Sequence, residues 1–469
     1  MLLTAIIVYL VLTILIGFWA SRRVTTSRDY LLAGRSLPLW LGASALFATW
    51  FGSETIFGAS AEFLDGGLYD VIEDPFGAAL CLFLFGMFFA RKLYNMKLLT
   101  LGDFFKVRYG KSTELVASAF LAPPYVGYIA AQLVAMGLIL KVVAGTGLSD
   151  GIVVSAVVVT AYTFVGGMWA ITITDFIQTI IIIGGLLAVA ISLGGEAGGV
   201  AHVLSAVPDE NFQFLPSGDL HSVVGWLAAW SVLGLGSIPS QDVFQRAMSS
   251  RSSSVAVWSC YVSSVLYLTI AMLPLFICLC IKSLHQDDIS GDPQLVLPNM
   301  VLAHMSMPVQ ILFFGSLLSA IMSTTSSAIL APASILSENF IRPLVRHRFS
   351  DKQFLLLTRI CVLIFSILAT VMATMRSNIY ELVGESSILS LVSLFAPLLL
   401  GLYWKKSSSR GALLSMVLGM LTWIIFEAWE TKWPSLIPAT LVSIGAMITG
   451  SLLWPSNKND DQDRTQSIE

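Results

Sequence analysis

Between residues 312 and 339, an apolar run long enough to cross a membrane carries Ser316, Ser319, Ser323, Thr324, Thr325, Ser326 and Ser327. At helical spacing Ala320, Ser323, Thr324 and Ser327 share one face, because positions three, four and seven apart lie above one another. Hydroxyl oxygens and loosened backbone carbonyls are what a small hard cation needs once its water is stripped away. Close packing is the other use of such a stripe: small residues line helix contacts in lipid, and Ser and Thr bond back to their own helix. Acidic residues extend the candidates. Glu54, Glu73, Asp74 and Asp175 fall in or beside apolar runs, where a charge costs at least ~2.5 kcal/mol and is kept for a reason. Asp175 has no basic residue near it in sequence, so a bound cation is its expected partner. Glu73 and Asp74 equally suit an exposed helix N-terminus, where the dipole favours negative charge.

The elements that position these residues must be membrane helices. The 469 residues are 56% hydrophobic and 12% charged, against roughly 25% charged in soluble domains. Repeated apolar runs of about twenty residues predict an all-α polytopic membrane protein with about thirteen transmembrane helices. The short alternating segments of a membrane β-barrel are absent. Cys81, Cys260, Cys278, Cys280 and Cys361 lie in apolar runs without metal-ligand spacing and read as buried small residues. The first run, 2–20, lacks a basic start and a cleavage site, so it is expected to be retained as a helix. There is no phosphate-binding loop of the ATPase type and no zinc-hydrolase motif, and the histidines are scattered. Neither an ATP-driven pump nor an enzyme is expected. The expected partners are the lipid bilayer and a small organic solute, with no nucleic acid and no obligate protein partner.

Of the 26 Lys and Arg, all but Lys141, Lys282, Arg376 and Lys432 fall in connections on one side of the membrane. By the positive-inside rule the N-terminus is outside and the C-terminus cytoplasmic, in a multi-pass protein of the plasma membrane, or of the inner membrane if bacterial. Arg246 and Arg251 count among the cytoplasmic residues in this tally.

Two spans are built to be interrupted. In 37–64, Ala48-Thr49-Trp50-Phe51-Gly52-Ser53-Glu54 puts glycine and polar residues in mid-span; in 218–248, Gly234-Leu235-Gly236-Ser237-Ile238-Pro239 adds a proline. With the second span counted as helix 1, these are helices 1 and 6 of a five-plus-five inverted repeat. Paired interruptions of this kind point to a transporter whose site lies at the breaks; independent kinks are the simpler alternative. The expected layout is a leading helix and loop (1–36), the first repeat (37–195), an extracytoplasmic loop (196–217), the second repeat (218–406), two trailing helices (407–454) and a cytoplasmic tail (455–469).

Four stretches in order carry a resemblance. They are Arg28-Asp29-Tyr30-Leu31-Leu32-Ala33-Gly34-Arg35, Tyr162-Thr163-Phe164-Val165-Gly166-Gly167, Ser319-Ala320-Ile321-Met322-Ser323-Thr324, and the run from Phe395 to Lys406. On these the chain resembles the sodium:solute symporter family, with its LeuT-like fold, from about residue 5 to 450. The resemblance implies a main sodium site formed by Ala48, Phe51, Ala320, Ser323 and Thr324. It implies a second sodium, found in some members, at Asp175, Ser323, Ser326 and Ser327. The breaks look similar to the high-affinity choline transporter branch, although Ser53-Glu54-Thr55 departs from that branch's Gly-rich run. The expected function is therefore sodium-coupled import, by alternating access, of a cationic or zwitterionic solute such as choline. A proline or other amino-acid symporter and a proton-coupled carrier are the alternatives. Trp50, Gly52, Ser53, Glu54, Glu73 and Trp230 are the expected solute pocket, with ring faces for a quaternary ammonium and carboxylates as counter-charge; tryptophans also serve as interface anchors.

Overall fold

A computed structural model of the chain describes residues 2–21, 31–284, 291–345, 350–429 and 431–455. The basic residues Arg22, Arg23 and Arg28, the tail from 456 onward and the side chain of Ser319 lie outside the described residues. Nine described helices are long and apolar enough to cross a membrane, and a bent pair makes a tenth. Lipid offers the backbone no partner, so the apolar runs satisfy themselves as helices. The described residues form helices and connections, with no strand.

The chain opens with α1 (Leu2–Ser21). The second span is α2 (Leu39–Trp50), a break, a π-turn at Glu54–Gly58 and α3 (Ala59–Gly66). Next come α4 (Ile72–Asn95) and the short amphipathic α5 (Leu101–Tyr109), which Thr100 and Asp103 cap reciprocally. Helices α6 (Lys111–Leu121) and α7 (Pro124–Ala144) form one span kinked at Pro123 and Pro124.

Helix α8 (Leu148–Glu196) is a helical run of 49 residues, which would be ~74 Å long if straight. Its neighbours show that it folds back instead. Ile152 packs against Gly137 of α7, Phe164 O accepts from Arg359 Nε at 3.1 Å, Asp175 meets Ser323, and Gly185 packs by Ser316. Because Ser337 meets Thr358 at 3.1 Å, the helices carrying these partners are antiparallel, and α8 runs one way to Phe164 and the other way from Asp175. The spans expected at 149–168 and 172–195 correspond to its two apolar stretches, Leu148–Ala161 and Ile171–Glu196.

The second interrupted span is α9 (Leu220–Gly236) and α10 (Gln241–Met248), bent by 48°. Then follow α11 (Ser253–Leu284), α12 (Met307–Ile335), α13 (Asp351–Met375), α14 (Ile379–Tyr403), α15 (Ser409–Ala428) and α16 (Leu436–Leu453).

Two groups of contacts set the mechanics. Leu37 N donates to Ser249 O at 3.0 Å, Arg251 N to Leu37 O at 2.9 Å and Tyr94 OH to Ser250 O at 2.9 Å. They tie the start of α2, the end of α4 and the end of α10 into one unit. Helices α7, α8, α12 and α13 pack on one another as a second group, against which α2 and α11 also pack through α8.

Candidate functional site

Both breaks free backbone carbonyls. Phe51 ends α2 in an extended conformation (φ −71°, ψ 93°), so the carbonyls before it lose their helical donors. Side chains supply replacements. Thr324 Oγ1 on α12 donates to Ala48 O at 2.7 Å, and Tyr128 OH on α7 donates to Thr49 O at 2.6 Å. A Cβ on Gly52 would make only ordinary contacts, 3.4 Å from Gln132 Oε1 and 3.9 Å from both Ile321 and Thr324, which places α12 directly against the break. At the second break, Gly236 is needed because a Cβ there would sit 2.5 Å from Ser387 O.

Of the five expected main-site ligands, the structure joins Ala48 and Thr324 directly, while Phe51 marks the break and Ala320 lies one turn before Thr324, buried. Ser323 turns the other way. Its hydroxyl donates to Asp175 Oδ1, and Asp175 is fully buried. The expectation that Asp175 has no basic partner is overturned: Arg246 Nη2 lies 3.7 Å from Asp175 Oδ2 and donates to Ser327 Oγ at 2.8 Å. Arg246 is also not a cytoplasmic loop residue, since α10 is buried along its whole length and Arg246 is 1% exposed. Ser326 and Ser327 bond back to Ser323 O at 2.8 and 3.1 Å.

A cavity of about 40 Å³ lies between the breaks, lined by Trp50, Glu54, Tyr125, Tyr128, Ser237 and Asp242 among others. None of its lining residues is Lys, Arg or His. Glu54 is buried and its Oε1 has no hydrogen-bond partner among the described residues, as is also true of Ser53 Oγ and the Gln132 amide beside Gly52. Tyr125 OH donates to Asp242 Oδ1 at 2.8 Å and accepts from Asp242 N at 3.0 Å.

Of the expected solute pocket only Trp50 and Glu54 line this cavity; Gly52, Ser53, Glu73 and Trp230 do not. Glu73 Oε2 stands beside Gly384 of α14. Trp230 belongs to an aromatic cluster with Phe76, Phe214 and Trp226, in which Trp226 Nε1 donates to Phe214 O at 2.9 Å. Asp74 is no exposed helix end: it is buried, and Tyr267 OH donates to it at 2.7 Å while meeting Thr55 Oγ1 at 2.6 Å.

The end of the bundle around α5 and the close of α12 is held by Asn339, which sequence reasoning did not single out. Its amide donates to Asp103 Oδ1 and Glu114 Oε1, both at 2.9 Å, and its oxygen accepts from Thr100 Oγ1 at 2.6 Å. Tyr125, Tyr128, Asp242 and Arg246 were likewise missed as site residues. The available signal was in the eight residues of α10, where Gln241, Asp242, Gln245 and Arg246 follow a break directly yet belong to a buried helix.

The comparisons with known proteins agree with this architecture. Residues 30–419 match the sodium:solute symporter family. The human protein named High affinity choline transporter 1 is 30% identical over 443 residues, 89% of this chain and 75% of that one. The osmoregulated proline transporter OpuE of Bacillus subtilis is 26% identical over 467 residues, 95% and 93% of the two chains. Among solved structures, a Na+-coupled sialic acid symporter in a substrate-bound, outward-open state with a novel Na+ site superposes with a TM-score of 0.86. Its identity is 18%, covering 97% of this chain and 98% of that one, and it shows the shared fold.

Proposed function

The chain belongs to the sodium:solute symporter family, and on that premise we propose that it imports a small cationic or zwitterionic organic solute, choline foremost, across the plasma membrane. Membership implies the use of sodium in a multi-pass membrane protein. Of the expected main-site ligands, the ion is assigned to Ala48, Phe51, Ala320 and Thr324, with Ser323 left to Asp175, and the N-terminus is proposed to lie outside.

The observation that carries the solute assignment is the make-up of the cavity. Glu54 and Asp242 supply negative charge, Trp50, Tyr125 and Tyr128 supply rings, and no lining residue is basic. A desolvated quaternary ammonium gains about 2 kcal/mol or more from one ring face, and a carboxylate balances its charge without requiring a donor from it. Proline, like any zwitterion with a carboxylate, would bring a negative charge into a site that already holds two, which is why choline stands foremost. Trp50 and Glu54 stay in the proposed pocket, Tyr125, Tyr128 and Asp242 join them, and Gly52 and Ser53 belong to the break rather than to the lining. Glu73 and Trp230 are assigned to its outer approach.

The ion pocket joins the two mechanical units, because Ala48 lies on the interrupted helix and Thr324 on α12. An ion bound there favours the arrangement that brings them together, and it shifts the equilibrium only by its differential affinity for the two states. Each sodium entering down about 100 mV releases about 2.3 kcal/mol and a tenfold gradient adds about 1.4, enough together to concentrate a neutral solute several-hundred-fold. A proton-coupled carrier is less well supported, since Arg246 faces Asp175, the residue best placed to relay a proton.

Radiolabelled uptake of choline, betaine, proline and glucose into proteoliposomes, with sodium or potassium outside, tests this. Choline uptake that requires sodium is the expected result. Saturable uptake of proline or glucose without choline would move the solute class, and uptake that follows pH with potassium outside would remove the sodium coupling.

A further inference from the structure

We propose that Arg246 is the resident cation of the second pocket, so that this chain binds one sodium ion, at Ala48 and Thr324, and none at Asp175. The inference rests on the main-site assignment above and concerns the neighbouring oxygens.

The groups expected to hold a second sodium are Asp175, Ser323, Ser326 and Ser327. Each of them already has a partner, although Asp175 Oδ2 is held by charge alone and accepts no hydrogen bond among the described residues. Asp175 Oδ1 accepts from Ser323, Asp175 Oδ2 faces Arg246 Nη2 at 3.7 Å, and Ser327 Oγ accepts from the same nitrogen at 2.8 Å. Ser326 bonds back to Ser323 O. One guanidinium nitrogen therefore stands between a carboxylate and a hydroxyl, where an ion would have to sit.

Charge balance makes the two cations exclusive. Asp175 and Arg246 are 0% and 1% exposed, and together they are neutral. A sodium added beside them would leave a net positive charge out of water, and burying an unpaired charge is far more costly than burying a pair. Sodium can enter only if Arg246 leaves.

Arg246 is also poorly held. A guanidinium has five N–H donors, yet its Nε and Nη1 have no partner among the described residues. Its carboxylate, more than its hydrogen bonds, fixes it. Arg246 rides on α10, whose end is tied to α2 and α4, whereas Asp175 and Ser327 belong to α8 and α12. The pair thus bridges the two mechanical units, as the sodium pocket does, but with a cation that never dissociates from the chain.

The test is equilibrium binding of radioactive sodium to the purified full chain, with melting temperature measured in sodium and in N-methylglucamine. The expected stoichiometry is one ion for wild type and one for the doubly neutralised D175N/R246Q. R246Q, which leaves Asp175 uncompensated, should bind two and gain more stability from sodium than wild type does; R246K should stay at one. Two ions on wild type with one on D175N/R246Q would overturn the proposal, as would a folded R246Q that binds one. If R246Q cannot be recovered even in sodium, wild type against D175N/R246Q decides alone. No bound sodium on wild type, or a count untouched by T324A, would instead sink the main-site assignment.

Discussion

Thr324 and Ser323 are neighbours on α12, yet they open onto two pockets of opposite kind. Thr324 meets the Ala48 carbonyl, a neutral oxygen bared by a break in α2. Ser323 meets Asp175, a full charge. Neutral dipoles can bind a cation and give it up again, and ion conduction requires both. A buried carboxylate cannot be left bare between visits, because its desolvation is too costly. The chain meets that demand with Arg246. The difference teaches how to read a hydroxyl stripe: whether an oxygen serves a travelling ion or a fixed one depends on the charge behind it.

The largest effect that would sharpen this contrast is expected from Thr324→Ala. It removes a ligand from the neutral pocket and touches nothing in the charged one. The sodium half-saturation of uptake should rise roughly 10–100-fold, the range seen when a metal site loses a supporting partner. Ser316→Ala is the matched control, since its hydroxyl only bonds back to Phe313 O at 3.0 Å; equal effects of the two would reduce the stripe to packing.

Next is Glu54→Gln, which asks whether the solute's charge is handled apart from the sodium. The KM for choline should rise about tenfold, equivalent to about 1.4 kcal/mol, with sodium half-saturation nearly unchanged. Parallel losses in both would mean that Glu54 belongs to the ion pocket. A smaller effect on transport, though not on stability, is expected of Ser327→Ala, which takes from Arg246 its one hydrogen bond in this pocket. Bonds to charged groups are worth about 1.5–3 kcal/mol, so the melting temperature should fall by roughly 1.5–3 °C in a chain of this length with sodium stoichiometry unaltered. A lost ion in this variant would reinstate Ser327 as a sodium ligand.

The interruptions were legible because each is written in local chemistry: Gly52 amid polar residues, and Gly236 followed by Pro239. Ala48 and Thr324 were legible through the family resemblance, and the structure places their oxygens in contact. Arg246 was not. Its partner Asp175 comes from another helix, far off in sequence, and a basic residue just past a broken span reads as a loop charge. Tyr125 and Tyr128 hid for a similar reason, in a helix whose apolar pattern gives no sign that two hydroxyls face a break. Gly52, Ser53, Glu73 and Trp230 suited the chemistry but stand outside the cavity lining.

The smallest effect, from Ser326→Ala, separates the two pockets most cleanly. If the charged pocket took a sodium, Ser326 would be one of its few uncharged ligands, and its loss would weaken that ion's binding by tenfold or more on the same scale as Thr324. With Arg246 in residence the Ser326 hydroxyl does something else: it donates to Ser323 O at 2.8 Å, a local bond of the kind Ser and Thr make along any helix. The Ser327 hydroxyl donates to that same carbonyl, so the oxygen keeps a side-chain donor after the substitution. Sodium half-saturation and choline KM should then both stay within about twofold of wild type, since 0.4 kcal/mol is already a factor of two. Measured beside Thr324→Ala, a silent Ser326→Ala shows that hydroxyls two residues apart on one helix serve different cations. A large effect at Ser326 would return the second pocket to sodium and leave Arg246 as its gate.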